Sequence, residues 1–315
     1  MENKKNKKNN NNKNQDDETE SVDLNKLKLD DEEQEQEQEQ KKEFIDDSWL
    51  STLKLAPSDY LTELDRAICP QCKKKRKYFC YDCYVPFGEP GLAPKLKLPI
   101  KCDILHYPTE LLSKSTAIHS KVIAFDDVSI HEFPEVPDYN VDETVLLYPS
   151  ATSEFVRESD LSNVKRVVFI DSQWHTANRI LRDPRVKKLR CIKIDQHKTL
   201  FWRYQQHGDA YLATIEAIYY FYRELHMRLN GGNYDGQYDN LLFYYTFFYN
   251  LIQKTYKQGD RNFWRKQNYI KPAKDGITGD SITGDSTGDD EANDSTGNTG
   301  GDSNNTYIST ADTTD

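Results

Sequence analysis

The sequence predicts an α/β fold, a mostly parallel sheet with flanking helices, preceded by a small four-cysteine zinc module and framed by disordered tails. Three observations lead there. Short apolar runs ("KCDILHY", "ETVLLYPS", "VKRVVFID", "LRCIKID") alternate with longer amphipathic stretches, the pattern of a sheet whose faces are both covered. Cys69, Cys72, Cys80 and Cys83 fall into two CxxC pairs. Both ends of the chain lack the large apolar residues that would offset the entropy of ordering them.

Residues 1–43 are Asn, Lys, Gln and Glu repeats, and residues 271–315 repeat a "TGD" theme among Ser, Thr and Asn. Both read as disordered tails. The net charge of −10 is therefore unevenly shared. The N-terminal tail holds 9 basic and 14 acidic residues, the C-terminal tail 2 and 10, and the segment between them 31 and 28. The central segment is mildly basic, most of all in the stretch holding Arg179, Arg182, Arg185, Lys187, Lys188, Arg190 and Lys193. Such a field suits a phosphate backbone, although a solvated helix face would look the same. No apolar run reaches the ~18 residues of a membrane span, and the N-terminus has no signal-peptide core. The chain reads as soluble and intracellular, in nucleus or cytoplasm, with no membrane and no obligate protein partner.

Taken in order, "YLTELDRAI" (60–68) is a short amphipathic helix leading into the cysteine module, assigned to residues 60–98. The spacing Cys69-x2-Cys72-x7-Cys80-x2-Cys83 brings four thiolates to one tetrahedral centre, the preference of structural zinc, and the "KKKRK" spacer should lower the thiol pKa values. Cys102 and Cys191 lack such spacing and read as core. Residues 99–270 form the α/β domain. A helix is expected to start at Thr109 or Glu110, another within "ATSEFV" (151–156), and a long one over 209–229. After Gly231-Gly232, "YDNLLFYYTFFYNLIQKTY" makes a further helix whose aromatic residues read as core packing.

No Gly-rich phosphate loop, nucleophile elbow or metalloprotease helix is present. Three clusters instead fall at predicted strand ends or a helix start: Tyr148-Pro149-Ser150, Asp171-Ser172-Gln173-Trp174 and Thr214-Ile215-Glu216. In open α/β sheets ligands bind beyond the carboxyl ends of the strands. Brought together, these clusters would hold an aromatic, charged small molecule. Taken singly, each has a plain alternative: Asp171 a helix cap, Trp174 core, Glu216 a surface acid.

The segments "FIDSQWHTAN", "LFWRYQ" and "ATIEAIYYF", with "CDILHYP", "KSTAIHSKVIA" and "GQYDNLLFYY", together resemble the DTW-domain family, in order across roughly residues 60–255. The resemblance implies a SPOUT-related fold. It implies transfer of the 3-amino-3-carboxypropyl group of S-adenosylmethionine to N3 of a D-loop uridine in tRNA, with position 20 as the expected target. The D-x-T-W signature falls on Asp171, Ser172, Gln173 and Trp174, so Gln173 departs from the family Thr. The Thr-x-Glu-Ala element falls on Thr214, Glu216 and Ala217. On this reading Tyr148, Pro149, Ser150, Asp171, Ser172, Trp174 and Thr214 bind the cofactor. Asp171 is the expected base for the uridine imide, acting on substrate more than holding the fold, and Glu216 a second acid facing the cofactor's cationic groups. The alternatives are a non-catalytic RNA-binding protein working through its zinc module and a SPOUT-like RNA methyltransferase.

Overall fold

A computed structural model of the chain describes residues 47–202, 210–257 and Lys271. The tails expected at 1–43 and beyond Lys271 lie outside the described residues. Lys271 itself is docked: its N–H donates to the Trp202 carbonyl (2.8 Å), and Gln253 Nε2 donates to its carbonyl (2.8 Å).

The cysteine module is built from two hairpins. Helix α1 spans only Tyr60–Glu63, shorter than expected, because Leu64 turns extended and Ala67–Ile68 becomes strand β1, antiparallel to β2 (Lys75–Arg76). Strands β3 (Phe79–Cys80) and β4 (Val85–Pro86) pair in the same sense. The residue after each CxxC pair, Lys73 or Tyr84, adopts a φ of 60° and returns its N–H to the carbonyl of the first cysteine, at 3.0 and 2.7 Å. One backbone turn is thus used twice.

The main domain has strands β5 (Lys101–His106), β6 (Val128–Glu132), β7 (Thr144–Leu147), β8 (Glu154–Phe155), β9 (Arg166–Asp171) and β10 (Arg190–Lys193). Its helices are α2 (Ala117–Ile123), α3 (Trp174–Leu181), α4 (Pro184–Lys187), α5 (Thr214–Leu229) and α6 (Phe243–Lys257). The sheet order is β6-β5-β9-β7-β10-β8, and every pair is parallel. Parallel strands therefore all point their carboxyl ends to one edge.

The four expected strands are present, and β6 and β8 join them. The helix expected in "ATSEFV" is instead a turn closed by Ser153 N–H on the Ser150 carbonyl (3.2 Å), followed by β8, whose Glu154 and Phe155 pair with Ile192 and Lys193. Edge pairing with β10 overrides local propensity there. The helix expected at Thr109 or Glu110 begins only at Ala117, after turns closed by Glu110 N–H on Tyr107 O and Lys114 N–H on Leu111 O.

Alternate residues of β9 serve opposite faces. Val167 and Phe169 join the large cluster formed with α2, α5 and α6, and Val168 packs with Ile180, Val186 and Leu189 of the α3–α4 side. Each such fully buried side chain stabilises the fold by roughly 1.5–3 kcal/mol. The aromatic helix is core as expected: Tyr244, Tyr245, Phe248 and Tyr249 are at most 1% exposed. Phe79 of the cysteine module stacks edge-on against Tyr244 (ring centroids 4.8 Å apart), so module and domain share a core. Among the described residues no helix is long and apolar enough to cross a membrane.

Candidate active site

Strand β9 ends on Asp171 at the carboxyl edge, and that side chain is buried. Its Oδ2 accepts from His106 Nδ1 and from Ser115 Oγ, both at 2.7 Å, and its Oδ1 accepts from Thr214 Oγ1 at 2.7 Å. The Asp171 carbonyl accepts the Tyr107 N–H (3.0 Å). One carboxylate thus joins the end of β5, the loop before α2 and the start of α5. It caps no helix: α3 starts from Gln173, an exposed residue whose side chain makes no capping bond.

His106 has two acceptors, the Asp171 carboxylate at Nδ1 and the Glu110 carbonyl at Nε2 (2.8 Å). A carbonyl only accepts, so Nε2 donates to Glu110, and Nδ1 faces the Asp171 carboxyl, the arrangement that favours a protonated ring. Burial pulls the His106 pKa down, but the hydrogen bonds to Asp171 and Glu110 and the field of Asp171 outweigh it, and the net shift is upward. A raised histidine pKa contributes stability that is complete below the unfolded value of about 6.5 and is lost as pH rises through the folded value. Urea denaturation of wild type and His106→Gln should therefore show a stability gap that is widest below about pH 6.5 and narrows above it. A gap independent of pH would mean that His106 is neutral.

Glu216 is also buried, 1% exposed. Its oxygens accept from Thr199 Oγ1 (2.6 Å), Leu200 N–H (2.7 Å) and Ala213 N–H (2.7 Å), tying the 199–201 segment to the first turn of α5. Burial raises its pKa against the opposing pull of those donors.

Beside Asp171 lies a cavity of about 310 Å³ at the carboxyl ends of β7, β9 and β10. That is the lower end of the range for small-molecule sites. Of the expected residues Tyr148, Pro149, Ser172 and Thr214 line it. Ser150, Asp171 and Glu216 are not among the described lining residues; Asp171 sits behind Thr214, and Ser150 closes the turn before β8. Trp174 is the first residue of α3. Sequence reasoning missed Phe155, Lys193, Asp195 and His197 in the lining. Phe155 was hidden by the helical reading of its segment, whereas Lys193, Asp195 and His197 end or follow a recognised strand and could have been found by position. The rings and cations stack here: Lys193 Nζ lies 4.6 Å and Arg157 Cζ 4.2 Å from the Phe155 ring centre, and Arg157 pairs with Asp195.

Much of the basic stretch is engaged internally. Arg185 donates to Asp183, Val136 O and Pro134 O, Arg179 to Tyr107 Oη, and Lys188 pairs with Asp138. Arg182 and Lys187 are exposed.

The four cysteine sulfurs lie within 4.8 Å of one another, with Cys72 and Cys80 at 3.5 Å. A tetrahedral ion with Zn–S bonds of about 2.3 Å needs sulfurs roughly 3.8 Å apart, so the set fits. Burial acts to raise the Cys69 pKa, but hydrogen bonds from the Cys72 and Gln71 amides outweigh it and hold it down to about 7, while burial pushes Cys80 up to about 12. The spacer's cations are not the cause: Lys74 and Arg76 pair with Asp82.

The chain matches the DTW domain over residues 66–253. It is 32% identical to tRNA-uridine aminocarboxypropyltransferase 1 of Xenopus tropicalis over 69% of this chain and 90% of that protein. The protein of that name from Rattus norvegicus is 35% identical over 62% and 80% of the two chains, and that from Homo sapiens 32% over 67% and 86%. No solved structure matches. With its signature residues at the carboxyl edge of a parallel sheet and relatives aligned over most of their length, the chain belongs to the DTW-domain family.

Proposed function

We propose that the chain is a tRNA-modifying transferase that moves the 3-amino-3-carboxypropyl group of S-adenosylmethionine onto N3 of a D-loop uridine. The observation that supports this reading is a cavity lined by Ser172 and Thr214, one residue from each of the two signature segments, in a chain whose curated relatives are named tRNA-uridine aminocarboxypropyltransferase 1. In the reaction, N3 of the uracil attacks the side-chain carbon next to the sulfonium. The N–C bond forms as the C–S bond breaks, the electron pair goes to sulfur to leave methylthioadenosine, and the N3 proton passes to a base.

Tyr148, Pro149, Ser150, Ser172, Trp174 and Thr214 form the cofactor-binding set. The Lys193 ammonium matches the carboxylate of the cofactor's amino-acid part, and Asp195 its cationic groups. Asp171 and Glu216 act by position, the first fixing Thr214 and the second the opening turn of α5. Cys69, Cys72, Cys80 and Cys83 hold a structural zinc. Exposed Lys75, Arg182 and Lys187 supply phosphate contacts to tRNA. The insertion of β9 between β5 and β7, with the site at the carboxyl edge, supports a SPOUT-related fold.

Incubation with unmodified tRNA and S-adenosylmethionine, followed by mass analysis of nucleosides and small products, should give aminocarboxypropyl-uridine and methylthioadenosine in equal amounts. S-adenosylhomocysteine with a methylated nucleoside would identify a methyltransferase instead. Binding of tRNA without either product would leave a binding protein.

A further inference from the structure

The transfer needs an acceptor for the N3 proton, and the buried groups nearest the signature are already committed. Asp171 receives three side-chain donors, Glu216 receives three donors, and both nitrogens of His106 face acceptors. His197 differs. It lines the 310 Å³ cavity, and it also lines a second cavity of about 320 Å³ bounded by Trp49, Tyr220 and Arg223.

Its environment defines one tautomer. His197 Nε2 lies 2.8 Å from Oε1 of Glu224, and the Glu224 oxygens also accept the Asp195 N–H at 3.0 and 3.2 Å. Glu224 is 8% exposed, a buried acceptor that keeps the proton on Nε2. The imidazole lies flat on the Tyr220 ring, centroids 3.6 Å apart and planes 3° from parallel, so the ring cannot turn its edge freely. Among the described residues Nδ1 has no hydrogen-bond partner, so the neutral ring would offer its lone pair there, on a ring that lines two cavities. The charged groups around it are Glu224 and Arg223 on α5, Asp195 and Lys193 on its own segment, and Lys54, Asp235 and Asp239 around the second cavity.

We propose that His197 is the group that accepts the uridine N3 proton, with Glu224 as the positioning residue that sets its tautomer. This rests on the transferase reading above. The proton moves from N3 to Nδ1 as the N–C bond forms, giving an imidazolium paired with Glu224, and it is released to solvent after the product leaves.

The test is single-turnover transfer to tRNA as a function of pH for wild type, His197→Ala, His197→Gln, Glu224→Gln and Asp195→Asn, with thermal melts to confirm folding. The wild-type rate should rise through one ionisation to a plateau. Both His197 variants should lose about 10²-fold or more in rate at the plateau, the usual scale for a general base, and lose that ionisation, while cofactor and tRNA affinities change less than about threefold. Added imidazole should restore part of the His197→Ala rate. Glu224→Gln should lower kcat more than it raises KM and move the ionisation. An active wild type with an unchanged pH profile in folded His197→Ala, or a profile abolished by Asp195→Asn but kept in His197→Ala, would overturn the assignment and leave the transferase reading intact. A wild type that makes no aminocarboxypropyl-uridine would remove both.

Discussion

Asp171→Asn is expected to lower the unfolding free energy by about 3 kcal/mol and to reduce transfer by roughly 10²-fold or more. The stability loss follows from what the carboxylate does. It faces the buried His106, whose proton affinity it raises, and it receives Ser115 and Thr214 as well. Asparagine keeps the shape but loses the charge, and its NH2 group must point a donor at one of three donors. Leaving one member of a buried pair unmatched costs about 3–5 kcal/mol, and the near-isosteric replacement recovers part of that. The rate loss follows from displacement of Thr214 at the cavity wall, since a misplacement of about 1 Å is enough for a hundredfold effect. Chemical denaturation near pH 6 together with single-turnover transfer checks both. A stability change below about 1 kcal/mol with the same rate loss would return Asp171 to the role of a base acting directly on uridine.

Cys80→Ser should be the most damaging single change to folding. Cys80 is fully buried within the sulfur cluster, and its neighbour Phe79 packs on Tyr244 of the aromatic helix. A structural zinc contributes on the order of 10 kcal/mol to a small module, and metal binding and folding are one event there. The variant should purify with far less than one equivalent of zinc, and its loss of order should spread to α6, lowering the thermal transition of the whole protein. Metal analysis and circular dichroism, with and without chelator, provide the measurement. Retention of a full equivalent of metal and an unshifted melt would rule out a four-thiolate site.

The central strands were legible because Val145–Leu147, Val167–Ile170 and Cys191–Ile192 are apolar runs that no helix of that length would carry. The four cysteines were legible from spacing alone. The edge strands were not: β8 is two residues long and owes its conformation to β10, and β6 alternates Val128, Ile130 and Glu132 with polar residues as a loop might. At the candidate site, sequence position found Tyr148, Pro149, Ser172 and Thr214 in the cavity wall. It could not show that Asp171 and Glu216 are each ringed by three donors. Asp171 and Glu216 look reactive as letters because they follow an apolar strand or open a helix. Their donors come from residues between 16 and 65 positions away or from the helix's own first turn, and no local pattern announces those distances. His197 went unnoticed for the same reason reversed, since Glu224 and Tyr220 reach it from a later helix.

The strand order sets a timetable for synthesis. Strand β7 is bordered only by β9 and β10, and β8 only by β10, so neither has a neighbour until residues some 20 to 45 positions further on have left the ribosome. During that interval Val145, Leu146 and Leu147 present an unsatisfied apolar edge, the kind of surface that recruits chaperones or other nascent chains. Slowing translation after β7 should therefore lower the yield of native protein, whereas a pause after residue 257, once every strand is available, should favour it.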